Sequence, residues 1–183
     1  MKYSRKALEK TFQSGKKMKF LFFWGHKKDT NREITSSCFS QWWNQKFTVD
    51  GIEYPTAEHY MMAEKARLFK DKIAEQKILN SSSPGSAKKI GREVLGFNQI
   101  EWENNKIKIV VKGNFEKFNQ NPELKKYLIN TKKRILAESS PVDTIWGIGL
   151  DKTSEFASVP VKWRGLNLLG FGLMEVRDML NEI

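Results

Sequence analysis

The sequence predicts an α+β fold, a predominantly helical single domain with a small β-hairpin or sheet. One observation is a strong hairpin signal, because Asp50-Gly51 stands between two strand-like runs and suits a turn that needs positive φ at both central residues. Another is the recurrence of apolar residues at helical spacing along much of the remaining chain. The third is composition, since 183 residues with 39% hydrophobic and 12% aromatic content can bury a real core.

The hairpin leads directly into the helix on which the functional argument rests. Its strands are predicted at residues 46–49 and 52–54. Pro55 ends the second strand, and the hydroxyl of Thr56 can cap a helix that runs on toward Phe69.

The other elements follow from local start and stop signals. Strand-like apolar runs occupy residues 20–24 and 134–137. Helices are predicted over residues 71–79, 84–95, 101–118, 122–128 and 168–180. The polar stretch 27–37 is predicted to be a loop.

The amino terminus differs in composition from the rest of the chain. Residues 1–19 contain seven basic residues and a single acid, which predicts either a short basic helix or a frayed arm. We therefore expect residues 1–19 to be a basic extension and residues 20–183 to be the folded domain.

Charge and residue counts limit the class of protein. The net charge of +11 attracts phosphate-bearing partners such as nucleotides, sugar phosphates or nucleic acid, although it also fits a charge that serves solubility. The single cysteine, Cys38, fits a reducing compartment, so a cytoplasmic location is expected. Two histidines provide no zinc-ligand spacing, and the apolar run at 20–24 is too short to span a membrane.

One face of the predicted helix after Thr56 combines apolar and charged residues. At spacings of three, four and seven this face carries Glu58, Met61, Met62, Lys65, Leu68 and Phe69. Glu58 and Lys65 lie roughly 10.5 Å apart along the axis, and burying a charge is costly unless it is paired or used. Two interpretations remain open. Glu58 and Lys65 either form a structural ion pair across the methionines, or both face a cleft that binds a ligand.

Other candidate residues are aromatic, acidic or glycine. Asp143 precedes Trp146-Gly147-Ile148-Gly149, where glycines let the backbone approach a ligand and tryptophan offers a stacking face, although a plain turn with a core tryptophan also fits. Neither a dinucleotide fingerprint nor a Walker sequence is present. Of the adjacent Trp42 and Trp43, one is expected to pack inside and the other to line a surface or cleft.

The ordered set of motifs resembles the YbiA/NADAR family over roughly residues 20–180. The motifs are Pro-Thr-Ala-Glu-His-Tyr at 55–60, Ala-Glu-Lys at 63–65, Ser-Pro at 83–84, Gly-Arg at 91–92, Trp102, Lys-Phe at 117–118, Asp143, Trp-Gly-Ile-Gly at 146–149, Asn-Leu-Leu-Gly at 167–170 and Leu-Met-Glu-Val-Arg at 173–177. The resemblance implies a YbiA-like fold and an N-glycosidase. It further implies either cleavage of ribosylaminopyrimidine phosphates of the riboflavin pathway or removal of ADP-ribose from guanine in nucleic acid.

The resemblance also carries residue roles to this chain. It implies that Glu58, Lys65 and Asp143 are catalytic. It also maps the family's helix-opening tryptophan onto Trp102. The substrate-binding residues that we expect are Trp24, Gly25, Ser40, Trp42, Trp102, Trp146, Gly147, Gly149 and Asn167. Where some members have Ser-Asn-Phe, this chain has Ser-Gln-Trp at 40–42. No cofactor and no metal are expected, and the expected partner is the phosphorylated ribosyl substrate rather than a membrane.

Cleaving a base–ribose bond needs negative charge near C1 and a proton for the departing nitrogen. Glu58 is expected to stabilise the sugar cation or activate water. Asp143 is expected to protonate the leaving base or hold ribose hydroxyls, while Trp24, Gly25 and Asn167 contribute to the rim. Lys65 either binds phosphate or attacks ring-opened C1 as a Schiff-base nucleophile. Two other classes stay open: a non-catalytic ADP-ribose or nucleotide reader, and a basic nucleic-acid-binding protein.

Overall fold

The computed structural model describes residues 2–26 and 34–183, where the chain forms seven α-helices and four short strands. The helices are α1 (Arg5–Gln13), α2 (Ala57–Leu68), α3 (Lys72–Leu79), α4 (Pro84–Arg92), α5 (Gln99–Asn119), α6 (Pro122–Ile129) and α7 (Leu168–Asn181). The strands are β1 (Phe20–Phe23), β2 (Phe47–Val49), β3 (Ile52–Tyr54) and β4 (Ile135–Glu138). The predicted α+β class with mostly helical content is confirmed. Of the predicted loop at 27–37, residues 27–33 lie outside the described residues.

The chain folds as two compact units. The first unit comprises Met1–Ser40 and Pro122–Ile183, and the second comprises Gln41–Asn121. Within the described part of the chain, none of the helices combines the length and the apolar character needed to cross a membrane.

The first unit is built on a parallel pair of strands. β1 lies beside β4 with Phe20 opposite Ile135 and Phe23 opposite Glu138. Helix α7 packs on β4 and α6 packs on α7. The aromatic ring of Phe23 meets that of Phe39 edge to face, 5.4 Å between centroids, and both side chains are buried. The sequence predicted the strands, but β1 is buried only at Phe23 and its other residues are half-buried.

The second unit joins the hairpin to four helices. β2 and β3 are antiparallel, and the turn residues Asp50 and Gly51 have φ of 50° and 80°, which confirms the predicted hairpin turn. The hydroxyl of Thr56 accepts a hydrogen bond from the backbone N–H of His59, so the predicted helix cap is also confirmed. Helix α2 packs against α3, α4 and α5.

The first two turns of helix α2 are buried on every side rather than along one face, whereas four of its last five residues are half-buried. Its first seven residues, 57–63, are all buried, because three helices surround it. The sequence predicted that only one face of the helix would be buried. A buried helix that also carries polar residues has the same spacing of apolar residues as an amphipathic helix, so spacing alone does not distinguish the two. Glu58 and His59 are consequently enclosed together with the methionines.

A charged network fastens the carboxyl end of α2 to α3. Arg67 donates from Nε to Glu75 Oε1 at 2.7 Å and from Nη1 to the Tyr54 hydroxyl at 2.7 Å. Burial alone would raise the pKa of Glu75, but hydrogen bonds from Lys72 and Arg67 hold that pKa below its ordinary value. The network gives the buried carboxylate the partners that burial requires.

Helix α4 ends earlier than the sequence predicted. It stops at Arg92 with Glu93 as its C-cap, whereas the prediction continued to Leu95. The backbone N–H of Leu95 instead donates to Asp71 Oδ2 at 2.8 Å, and Asp71 also caps α3. The chain between α4 and α5 is therefore tied down by a side chain of another helix, which local spacing cannot reveal.

Candidate active site

The predicted site residues fall into two groups, one in each unit. In the second unit the start of α2 is fixed by a buried histidine. His59 Nδ1 shares a hydrogen bond of 2.7 Å with Thr56 Oγ1, and Nε2 lies 3.2 Å from the Ser81 carbonyl oxygen. Burial lowers the pKa of His59, partly offset by the bond to Ser81. His59 therefore ties the first turn of α2 to Thr56 and to the Ser81 carbonyl, and burial favours its neutral form.

Glu58 lies in the first turn of α2 and is only 2% exposed. Its backbone N–H donates to the carbonyl of Gln41 at 2.9 Å. The side-chain oxygen of Gln41 accepts from Asn114 Nδ2 at 2.8 Å, and the same nitrogen reaches the Val110 carbonyl at 2.9 Å. The amino end of a helix dipole favours negative charge, so this position suits a carboxylate that acts on a developing cation.

Lys65 lies two turns further along α2 in an aromatic environment. Its Nζ donates to the carbonyl of Gly91 at 2.7 Å. The same atom lies 4.3 Å from the centre of the Phe97 ring and 5.5 Å from that of Trp102. Burial lowers the pKa of Lys65, which increases the share of neutral amine relative to an exposed lysine at the same pH. A half-buried amine of this kind can act as a nucleophile.

The close approach of α4 to α2 explains why Lys65 reaches a backbone carbonyl. A Cβ at Gly91 would lie 2.1 Å from the sulfur and 3.1 Å from the Cβ of Met62. Only glycine allows this contact, and the contact places the Gly91 carbonyl beside the amine. The sequence marked Gly91 only as part of a motif.

Trp42 and Trp43 behave as predicted, with one packed and the other at the surface. Trp43 is 1% exposed, whereas Trp42 is half-exposed. The Trp42 ring lies against Gly85, and the Lys88 ammonium is 5.9 Å from its centre. Trp42 is thus accessible to a flat ligand, as a stacking residue must be.

In the first unit, several predicted residues follow the carboxyl ends of β1 and β4. We call this region the carboxyl edge; it contains Trp24, Gly25, Ser139, Ser140, Asp143 and Trp146. The backbone N–H of Ser139 donates to the Phe23 carbonyl at 2.9 Å, so both strands end at the same level. Trp24 is 55% exposed and Gly25 has φ of 80°. Carboxyl ends of parallel strands are frequent ligand sites.

Asp143 organises the loop that follows β4. Its Oδ1 accepts from the backbone N–H groups of Ile145 at 2.9 Å and Trp146 at 2.7 Å. Its own N–H donates to Ser140 Oγ at 3.2 Å. Asp143 and Trp146 are both half-exposed, so the carboxyl group holds the loop while remaining accessible from solvent.

Gly147 and Gly149 are buried and have a packing reason inside the first unit. A Cβ at Gly147 would lie 2.8 Å from the Glu138 carbonyl oxygen. Gly149 has φ of 69°, and a Cβ there would lie 2.8 Å from the Cβ of Arg164. The sequence predicted that these glycines let a ligand approach the backbone. In the structure, protein atoms lie in the space beside both glycines. Direct contact of a ligand with them stays a prediction.

Asn167 lies inside the fold rather than at the rim that the sequence predicted. It is fully buried, its Oδ1 accepts from the Glu138 N–H at 3.0 Å, and its Nδ2 donates to the Leu136 carbonyl at 2.9 Å. Both amide groups therefore complete the backbone of β4. With φ of 56°, Asn167 precedes α7 without a side-chain cap bond. Ser40, at the end of the 3₁₀ turn Ser36–Phe39, is half-buried.

Sequence reasoning missed two features of the α2 site. Phe97, which lies against Lys65, belongs to the segment between α4 and α5 and had no periodic signal. The second feature is the hydrogen bond between Gln41 and Asn114. Its only sign in the sequence is that Asn114 interrupts an otherwise apolar face of α5. Among residues 2–26 and 34–183, no group of three or more His, Cys, Asp or Glu side chains could hold a metal ion.

The chain matches a family model and several curated proteins. The model of the NADAR domain covers residues 22–181. N-glycosidase R617 of Acanthamoeba polyphaga mimivirus is 42% identical over 165 residues, covering 87% of this chain and 95% of the viral protein. N-glycosidase YbiA of Escherichia coli is 33% identical over 144 residues, covering 79% of each chain.

The fold also matches a solved structure. The NMR structure of E. coli YbiA superposes with a TM-score of 0.72 at 30% identity, covering 90% of this chain and 86% of YbiA. The predicted YbiA-like architecture is therefore confirmed at the level of the fold.

Proposed function

The chain belongs to the NADAR domain family, and from that premise we propose that it hydrolyses the bond between a base and a phosphorylated ribose. The predicted enzyme class, an N-glycosidase, is confirmed by relatives that carry this name. The substrate class is our proposal: a ribosylaminopyrimidine phosphate or an ADP-ribosylated guanine. The observation that carries it is that the Lys65 amine lies beside the rings of Phe97 and Trp102, on the helix that also carries Glu58.

Glu58 is assigned the electrostatic role. Opening of the ribose ring leaves a protonated imine between C1 and the base, and a carboxylate at the amino end of α2 stabilises the positive charge of this sugar cation. Enclosure strengthens the interaction, because less water screens it.

Lys65 is assigned the covalent role. After the ribose ring opens, its neutral amine adds to C1, the base departs with a proton, and a Schiff base joins Lys65 to the sugar. Water then adds to the imine and releases the sugar phosphate and the free amine. Burial lowers the pKa of Lys65, and this supports a nucleophilic role for its amine. The Phe97 and Trp102 rings keep the amine from full hydration.

The roles of the carboxyl edge stay predictions. Asp143 uses Oδ1 for the loop, so its other oxygen is the one available to ribose hydroxyls. Trp146 and Trp24 offer aromatic surface, and Ser40 offers a hydroxyl.

Incubation with both substrates tests the proposed function. The purified chain is given a ribosylaminopyrimidine phosphate and, separately, an oligonucleotide with ADP-ribosylated guanine, and products are followed by mass spectrometry. We expect free base and a matching amount of the sugar product from one of them. Binding of ADP-ribose without release of base from either substrate would favour a non-catalytic reader instead.

A further inference from the structure

The first unit contains a cavity lined by residues of α1, the segment 16–19, the turn before β4, and α7. Its volume of about 770 Å³ lies within the range of ligand pockets. Much of its lining is apolar, with Leu8, Phe171 and Met174 buried in its wall. We call this cavity, together with the basic residues around it, the basic cleft.

The charge of the basic cleft is strongly one-sided. Six exposed cationic residues line it: Lys16, Lys17, Lys19, Lys132, Lys133 and Arg134. A seventh, Lys2, is paired with Asp178 at 2.6 Å. Within the described part of the chain, no acidic side chain lines the cavity and none forms an ion pair with any of the six. Such a surface attracts a multiply charged anion.

The fold itself brings the two groups of cations together. The parallel pairing of β1 with β4 sets Lys19 beside Arg134, and the Ile135 N–H donates to the Lys19 carbonyl at 2.8 Å. Buried Arg177 of α7 donates from Nη1 to Thr131 Oγ1 at 2.8 Å and to the Arg134 carbonyl at 2.9 Å. The turn that carries the second group is therefore held in place before any ligand arrives.

Aromatic rings lie directly beside these cations. A second hollow of about 310 Å³ shares Lys16 and Lys17 with the first and is lined by Phe12, Phe20 and Phe22. The rings of Phe20 and Phe22 are nearly parallel, 7° between planes and 5.7 Å between centroids, and both are half-exposed. Flat aromatic surface next to a cationic track is the pattern that proteins use for single-stranded nucleic acid.

We propose that the basic cleft binds single-stranded nucleic acid. The six cations contact consecutive phosphates, and bases stack on Phe20 and Phe22 or enter the apolar cavity. An anionic lipid surface would also use the cations, but it would not stack flat rings on Phe20 and Phe22 as bases do. The family model begins at residue 22, so Lys16, Lys17 and Lys19 lie outside the matched segment. The inference concerns residues of the first unit only and holds whether or not the enzyme acts on nucleic acid.

Fluorescence anisotropy with labelled single-stranded DNA and RNA tests the proposal. The full chain is compared with Lys17→Glu/Lys133→Glu and with the control Lys77→Glu/Lys108→Glu, which makes the same charge change at exposed helical positions. We expect binding that weakens with salt, a loss of about tenfold or more in the first variant, and a shallower salt dependence. The control should lose far less, and circular dichroism should show both variants folded.

A second variant separates stacking from charge. Phe20→Leu keeps an apolar side chain but removes a ring, so it should weaken oligonucleotide binding several-fold while leaving binding of inorganic polyphosphate unchanged. Equal binding of polyphosphate and oligonucleotide, preference for vesicles of anionic phospholipid, or equal losses in the two charge variants would each overturn the proposal. Comparison of the DNA and RNA oligonucleotides shows which nucleic acid binds more tightly, and binding of either one supports the proposal.

Discussion

Replacing Glu58 by Gln is expected to lower the rate of base release about 10³-fold while leaving the chain folded. The substitution keeps the shape of the buried side chain and removes the negative charge that stabilises the sugar cation. The backbone N–H of Glu58 donates to the Gln41 carbonyl, and this bond stays in place when the carboxylate becomes an amide. Turnover is measured by mass spectrometry of the free base, and folding by the thermal midpoint.

Glu101→Gln is the matched control for this change. Glu101 also lies in the first turn of a helix, α5, but it is exposed. We expect near-normal turnover from this control and a thermal midpoint within about 3 °C of the unchanged chain for both variants. If Glu58→Gln unfolds, the carboxylate serves the stability of the fold. If Glu58→Gln folds and turns over normally, Glu58 has no part in the mechanism.

Replacing Lys65 by Met is expected to abolish the trapped sugar adduct and to reduce turnover by a factor comparable to that for Glu58. Borohydride added during turnover should reduce the Schiff base and increase the mass of the peptide that contains Lys65. Because burial lowers the pKa of Lys65 from 10.5, activity should rise with pH and level off below 10.5. Lys108→Met, at an exposed position of α5, serves as the control.

The stability of Lys65→Met separates catalysis from structure. A lysine whose pKa is lowered in the folded state destabilises the fold below that pKa, and the effect disappears as pH rises to 10.5. The Lys65→Met substitution removes this destabilisation, but the Gly91 carbonyl then loses the hydrogen bond that it accepts from Lys65 Nζ. We therefore expect unfolding free energy within about 1 kcal/mol of the unchanged chain at pH 7. If borohydride traps nothing while Lys65→Met still loses turnover, phosphate binding replaces the covalent role.

Local rules were sufficient for much of the second unit. The Asp50-Gly51 turn and the Thr56 cap depend on neighbouring residues only, so the sequence predicted both. The inward and outward division of Trp42 and Trp43 was predicted from the alternation of side chains in a strand, and the burial agrees although neither residue lies in a strand.

Features that depend on distant residues were not predictable in the same way. The parallel pairing of β1 with β4 joins residues 20–23 to residues 135–138, and no local pattern specifies a partner that far away. For the same reason, the sequence did not predict that Phe97 contacts Lys65 or that Asn167 hydrogen-bonds to the backbone of β4. In each case a polar or aromatic side chain is explained by a partner on another element rather than by its neighbours in sequence.

The most direct test of the account is the structure of the Glu58→Gln variant with an uncleaved substrate bound. A ribose that reaches α2, with its C1 within contact distance of the side chain at position 58 and within reach of the Lys65 amine, is the expected result. A substrate bound elsewhere, with α2 closed around both side chains and no space for a sugar, would show that these charges serve the fold and not the reaction.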